Sequence, residues 1–318
     1  MTTKNVAAML MTIIIIILSG CSQAETTGTV DNKVKIGIML SDVGLGDQSF
    51  SDSAFYGLER ARDELGILFD YRELKKSKTY EKGLTELVHE NNDIVVGLGF
   101  MVQEDLEKVA KKFPEQQFIL IDAVSDLKNV TSITFKEDQG SFLAGVVAAL
   151  STKTGKLGFI GGDDVPLINK FEKGFVEGAQ AVNPDINVAV QYAGDFGNDQ
   201  LGANLAREMI TNDVDVLYAA AGFTGVGMLK EAQAKKVMAI GVDSDQYFYA
   251  EKAVITSMLK NVDVAMYQMA KQLVDNGNVP TGHVELGIKE NGIDLAPLRV
   301  KQFTDEEKKQ IEDWKKKL

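Results

Sequence analysis

An α/β fold built as two sister lobes, each around a parallel sheet, is predicted by three features of the chain. Short apolar runs alternate with amphipathic helical patterns along nearly its whole length. The order β-α-β-α-β-α-β occurs twice with similar lengths, a coarse internal repeat. Turns rich in Gly and Asp follow corresponding strands in both copies.

The first copy places strands at Val34–Leu40, Ile67–Tyr71, Ile94–Leu98 and Phe118–Ile121, with helices at Ser51–Leu65, Thr79–Glu90 and Val102–Phe113 between them. Val130–Phe135 reads as a fifth strand. Glu137–Leu150 is a helix with a small-residue face, Gly140, Ala144, Gly145 and Ala148, suited to close packing. The pattern restarts with strand Lys156–Ile160, helix Val165–Val182, strand Asn187–Tyr192, helix Asp199–Asn212, strand Val214–Ala219, helix Gly225–Lys235 and strand Val237–Val242. Strand Ala253–Leu259, helix Val262–Asn276, strands Val284–Ile288 and Leu298–Val300, and a terminal helix Asp305–Leu318 capped by Thr304 complete the chain. Its Lys-rich last turn suits the helix dipole.

The turn Gly44-Leu45-Gly46-Asp47-Gln48-Ser49 runs from the first strand into the first helix. Ser49, Ser51 and Asp52 are its candidate caps, and Ser49 replaces the third glycine of G-x-G-x-x-G, against a dinucleotide fingerprint. A capped turn without a ligand is the plainer alternative. The repeat aligns chemistry as well as pattern. Asp42–Asp47 matches Gly161–Asp164, Gly97–Phe100 matches Gly222–Gly225, and Asp122 matches Asp243. All lie at carboxyl ends of expected parallel strands, the edge at which open α/β sheets take ligands. Lobes that face each other bring these residues to one cleft.

The N-terminus reads as a signal peptide, residues 1–20. Lys4 is the only charge before the apolar run Val6–Leu18, which ends Leu18-Ser19-Gly20-Cys21 as a lipobox. Cys21 would carry the lipid, and residues 21–33 form a small, polar tether. A plain transmembrane anchor is the alternative, though the run is short for a span. Cys21 is the only cysteine, which excludes an internal disulfide and a Cys-based metal site. His89 and His283 sit in no metal-ligand spacing, and no cofactor is expected. The net charge of −12, one unit more negative once Lys4 is removed, argues against nucleic acid as a partner.

At this point the residues resemble a known family. Asp47-Gln48-Ser49-Phe50-Ser51, followed by Ala54 and Gly57-Leu58, is similar to the D-x-S-F-N…A…G-L signature of the basic membrane protein family, the purine-nucleoside-binding lipoproteins of ABC transport systems. Phe135-x-Glu137-x-Gln139-Gly140, Gly158–Gly162, Phe171-x-x-Gly174-Phe175-x-x-Gly178, Ala221-Gly222-x-Thr224-Gly225, Ile240–Gln246 and Thr256–Lys260 match in order. The resemblance covers nearly all of 33–298. It implies a type I periplasmic-binding-protein fold of two Rossmann-like lobes with a hinge. Residues 34–134 with about 260–283 would form the first lobe, and 135–259 with about 284–318 the second. Crossings would fall near Thr134–Lys136, Ser257–Lys260 and His283–Leu286.

By the same resemblance Phe50 is one ring of an aromatic pair that sandwiches the base. The second ring is open among Phe223, Phe196 and Phe100. Asp122 would accept from the base, Asp243 with Lys260 would hold ribose hydroxyls, and Asp42 and Asp47 would reach the base. Ser51 departs from the family's Asn, one hydroxyl in place of a donor and an acceptor. The expected function is extracytoplasmic binding of a purine nucleoside for an ABC permease, on a lipid-anchored protein at the cell membrane. The alternatives are a surface sensor on the same fold and a hydrolase. No enzyme is expected, since G-x-S-x-G, H-E-x-x-H and P-loop motifs are absent from the sequence. The candidate cleft edge offers carboxylates and rings where a phosphate would need several cations or a glycine nest.

Overall fold

The computed structural model describes residues 33–318; the signal peptide, Cys21 and nearly all of the tether lie outside the described residues. The strands are β1 (Lys35–Met39), β2 (Leu68–Arg72), β3 (Ile94–Leu98), β4 (Gln117–Ile121), β5 (Val130–Phe135), β6 (Lys156–Gly161), β7 (Asn187–Tyr192), β8 (Val216–Ala220), β9 (Met238–Asp243), β10 (Val254–Lys260), β11 (Gly282–Leu286) and β12 (Ile293–Leu295). The helices are α1 (Phe50–Leu65), α2 (Leu74–Ser77), α3 (Tyr80–His89), α4 (Gln103–Lys112), α5 (Glu137–Ser151), α6 (Pro166–Val182), α7 (Asp199–Thr211), α8 (Gly222–Lys235), α9 (Val262–Asn276) and α10 (Asp305–Lys317).

Two sheets form. One runs β11-β5-β4-β3-β1-β2 and the other β12-β10-β9-β8-β6-β7. The orders β5-β4-β3-β1-β2 and β10-β9-β8-β6-β7 are the same order repeated, so the internal repeat is a repeat of topology. Every pairing is parallel except β10 with β12. The centre of each sheet is fully buried, as its β-branched sequence requires. In β3, Val95 packs on one face with Phe118 and Leu120, and Ile94 and Val96 on the other with Ile36 and Ile119. In each sheet the order reverses beside the first strand of the copy, at β1 and at β6. Such switch points open a crevice at the carboxyl ends of the strands.

The chain passes between the sheets three times, from β5 into α5, from β10 into α9, and from β11 to β12. The small-residue face of α5 packs as its composition suggests. A Cβ on Gly145 would stand 2.1 Å from the Phe175 carbonyl of α6, and one on Gly178 1.9 Å from the Phe142 carbonyl. Gly57 lets α1 meet α9 in the same way, with the Asp263 carbonyl 2.3 Å from where a Cβ would be.

Some boundaries differ from expectation. The first sheet takes in Val284–Leu286 through β11, so the last crossing follows Leu286 rather than His283. The final strand is β12, not Leu298–Val300. Pro297 has no N–H for the ladder, and Val300 turns with φ +66°. Helix α8 starts at Gly222, earlier than expected, and α2 was not expected. Helix α10 carries a full capping box between Thr304 and Glu307.

Candidate ligand-binding cleft

The two switch-point crevices face one another across a cleft with an empty volume of about 680 Å³, its open mouth included. Residues after β1, β3, β4, β6, β8 and β9 line it, together with Lys260 at the end of β10. The structure brings Asp42, Asp47, Phe50, Asp122, Asp243 and Lys260 to this lining.

The first-lobe turn is closed by its own side chains. Asp47 accepts from Ser49 N at 3.0 Å, Ser51 N at 2.6 Å and Asp52 N at 3.1 Å. Asp52 accepts from Gly46 N at 2.8 Å and Gln48 N at 3.0 Å. Five backbone N–H groups at a helix N-terminus, the usual cradle for an anion, are thus taken. Ser49, at the N-cap position, makes no side-chain cap; its hydroxyl crosses to the second lobe and donates to Asp243. Gln246 Nε2 donates to Gln48 O at 3.0 Å alongside. Ser51 turns away from the cleft into a buried bond with Ser41, 2.7 Å. Ser41 lines the cleft, so the difference from Asn reaches the cleft wall through Ser41. Burial pushes the Asp47 carboxyl up to about 6 against the pull of its N–H partners.

Lys260 is the charged centre of the cleft. It is 2% exposed. Its Nζ lies 2.6 Å from Asp122 Oδ2 and 3.2 Å from Glu137 Oε1, the latter without hydrogen-bond geometry. The rings of Phe50, Phe135 and Phe171 stand 5.1, 5.1 and 5.7 Å from the ammonium. Burial works to lower the Lys260 pKa, and Asp122, Glu137 and Asp243 together more than reverse it. Burial raises each of the three carboxyls, and Lys260 pulls each back. Buried Lys260 and the half-exposed Lys170, 3.6 Å from Glu137, face three acids, so the group has spare acceptor capacity. Asp122 Oδ1 is buried and has no hydrogen-bond partner among the described residues.

Asp122 and Asp243 occupy equivalent ends of β4 and β9, and both take left-handed backbone, φ +69° and +63°. Non-glycine residues are held there at a cost, a recurrent feature of functional sites. The strain is duplicated with the fold, one residue per lobe.

The aromatic wall differs from expectation. Phe223 does not line the cleft. Helix α8 opens at Gly222 with φ +53°, and it is Ala221 and Gly222 that reach the lining. The second lobe's rings there are Phe171 and Phe196, and the first lobe's are Phe50, Phe100 and Tyr80. Gly162 makes room for Phe196, whose ring would stand 2.1 Å from a Cβ at that position. Phe100 and Phe196 meet edge to face across the cleft at 6.4 Å. Sequence reasoning did not single out Tyr80, Phe171 or Glu137 as site residues. Glu137 and Phe171 do stand inside motifs already noted, and the Thr79 cap fixes Tyr80 as the first residue of α3.

Two lobes of parallel sheet around a carboxylate- and ring-lined cleft define a ligand-binding protein of the type I periplasmic kind. The family model for ABC transporter substrate-binding proteins, PnrA-like, matches residues 33–318. The chain belongs to this PnrA-like family of substrate-binding proteins. It is 35% identical over 306 residues to the ABC transporter nucleoside-binding protein BmpA of Lactococcus lactis subsp. cremoris, covering 88% of this chain and 87% of that one. It is 35% identical over 304 residues to the CD4+ T-cell-stimulating antigen of Listeria monocytogenes, covering 88% and 85%. The crystal structure of an ABC transporter solute-binding protein from Aeropyrum pernix K1 superposes with a TM-score of 0.82 at 29% identity, over 89% of this chain and 90% of that one.

Proposed function

We propose that this protein is a lipid-anchored, extracytoplasmic receptor that binds a purine nucleoside between its lobes and presents it to an ABC permease. It performs no catalysis in this account. The observation that carries the ligand class is the state of the first-lobe turn. Where a parallel-sheet protein would cradle phosphate, Asp47 and Asp52 already take the N–H groups. What the first lobe leaves for a ligand is rings for a base and buried acceptors for hydroxyl and N–H donors. Phosphate would meet Asp42, Asp122 and Asp243 with only Lys260 to oppose them among the lining residues. The nucleoside-binding name of the Lactococcus relative supports the same class.

In this account Phe50 and Phe196 hold the base from opposite lobes and its edge faces Asp42, while Asp122, bonded to Lys260, sits on the ribose side. Asp243 and Lys260 hold the ribose. Calorimetric titration of the domain 33–318 with nucleosides, free bases and sugars tests it. Nucleosides bind, and Phe50→Ala weakens them by about 1–3 kcal/mol through lost stacking. A folded wild type that binds sugars and no nucleoside refutes the proposal. The anchor is tested separately: palmitate label in the full chain disappears in Cys21→Ser, and label that persists refutes it.

A further inference from the structure

The cleft holds a second polar station, away from Lys260. Tyr80 opens α3 behind Thr79, whose hydroxyl accepts from Lys82 N. Its ring lines the cleft, as do Asp42, Phe100 and Met101, and Asp42 lies close enough to act on it. Its hydroxyl is buried and has no hydrogen-bond partner among the described residues. A buried hydroxyl left unpaired is unfavourable, and most such groups in native proteins are paired. Burial, with Asp42 and Asp105 adding to it, raises the Tyr80 pKa, so the group stays a proton donor. The charges that bear on Tyr80 are Asp42 and Asp105, and those that bear on Asp42 are Asp195 and Lys75. None belongs to the Lys260 group, whose acids are Asp122, Glu137 and Asp243. A ligand held at its sugar by Lys260 therefore has its base left to meet this other station.

We propose that Tyr80 is a specificity-determining residue, donating its hydroxyl to the exocyclic oxygen of a 6-oxopurine while Asp42 accepts from the adjacent ring N–H. This deepens the nucleoside proposal and rests on it. A hydroxyl donor beside a carboxylate acceptor asks for an acceptor next to a donor on the base. Hypoxanthine and guanine present O6 beside N1–H, and guanine adds its 2-amino group on the carboxylate side. Adenine reverses the order, placing a bare N1 toward Asp42. Purine riboside has neither the oxygen nor the N–H.

Titration of wild type and Tyr80→Phe with inosine, adenosine, hypoxanthine and purine riboside, with melting temperatures recorded, tests the inference. Wild type prefers inosine to adenosine and to purine riboside. Tyr80→Phe weakens inosine and hypoxanthine alike, by about tenfold, and shifts purine riboside by less than about twofold. Its melting temperature does not fall, because the lost hydroxyl had no partner in the unliganded protein. An equal loss for inosine and purine riboside, or no loss for either, overturns the Tyr80 role while leaving a nucleoside site standing. A wild type that is folded and binds no nucleoside overturns both proposals.

Discussion

The two lobes share a strand order but finish their first helix in different ways. In the first lobe the turn into α1 is wrapped around Asp47 and Asp52, which pair five backbone N–H groups. In the second lobe the turn into α6 has Pro166 at its start and no side-chain cap. Asp163 and Asp164 there are exposed, and Leu167 and Ile168 face the cleft. Duplication kept the topology, while the chemistry at the switch points diverged. One lobe brings carboxylates and a closed turn, the other an apolar wall. The strand ends at Asp122 and Asp243 kept matching chemistry, and both are among the residues held in left-handed backbone.

The largest test of this asymmetry uses the two lysines that approach Glu137. Lys260 is buried in its contact, whereas Lys170 sits 3.6 Å from Glu137 Oε2 and is half exposed. Lys260→Ala strands buried Asp122 and Glu137 and lowers stability by about 3–5 kcal/mol. Lys170→Ala changes it by less than about 1 kcal/mol. Urea unfolding of both variants checks the contrast. Equal losses would mean that Lys260 is not the pivot of the acid group.

A smaller contrast compares the turns. Asp47→Ala leaves three N–H groups at the start of α1 unpaired and costs about 1–2 kcal/mol. Asp164→Ala, at the matching place in the second lobe, stays within about 0.5 kcal/mol. Thermal melts of the two variants give the comparison directly.

The same turn gives a contrast in pH. The Asp47 carboxyl is pushed up to about 6 in the fold from an unfolded value near 3.8. The folded state therefore binds this proton first. Its stabilising contribution is fully present below about pH 4 and is lost as pH rises through about 6. Asp47→Asn flattens the stability–pH curve in that window, and a curve unchanged by the substitution contradicts the assignment.

Much of this was legible in the residues, and the rest was not for physical reasons. Strand and helix alternation fixed both sheets, because buried parallel strands are continuous apolar runs such as Ile94-Val95-Val96. Asp122 and Asp243 stood out because the repeat aligned them. The pairing of Lys260 with Glu137 did not, since one ends β10 and the other opens α5, with no local spacing between them. Tyr80 was hidden for a related reason: that its hydroxyl lacks a partner is a fact of tertiary packing. Strand-end position left the second ring open among Phe223, Phe196 and Phe100, and helix α8 was expected to begin at Gly225. Starting at Gly222 takes Phe223 off the wall. Asp47 was read as a ligand group, but its acceptors are turned to its own backbone, which strand and helix patterning does not reveal.

The central claim is that the cleft takes a nucleoside and refuses the same molecule once phosphorylated. Calorimetric titration of the wild-type domain with inosine and with its 5′-monophosphate tests it most directly. Inosine binds and the monophosphate binds at least about 100-fold more weakly, because phosphate meets a carboxylate-lined cleft and a first-lobe turn with its N–H groups already paired. A monophosphate that binds as tightly as inosine, or more tightly, would contradict it.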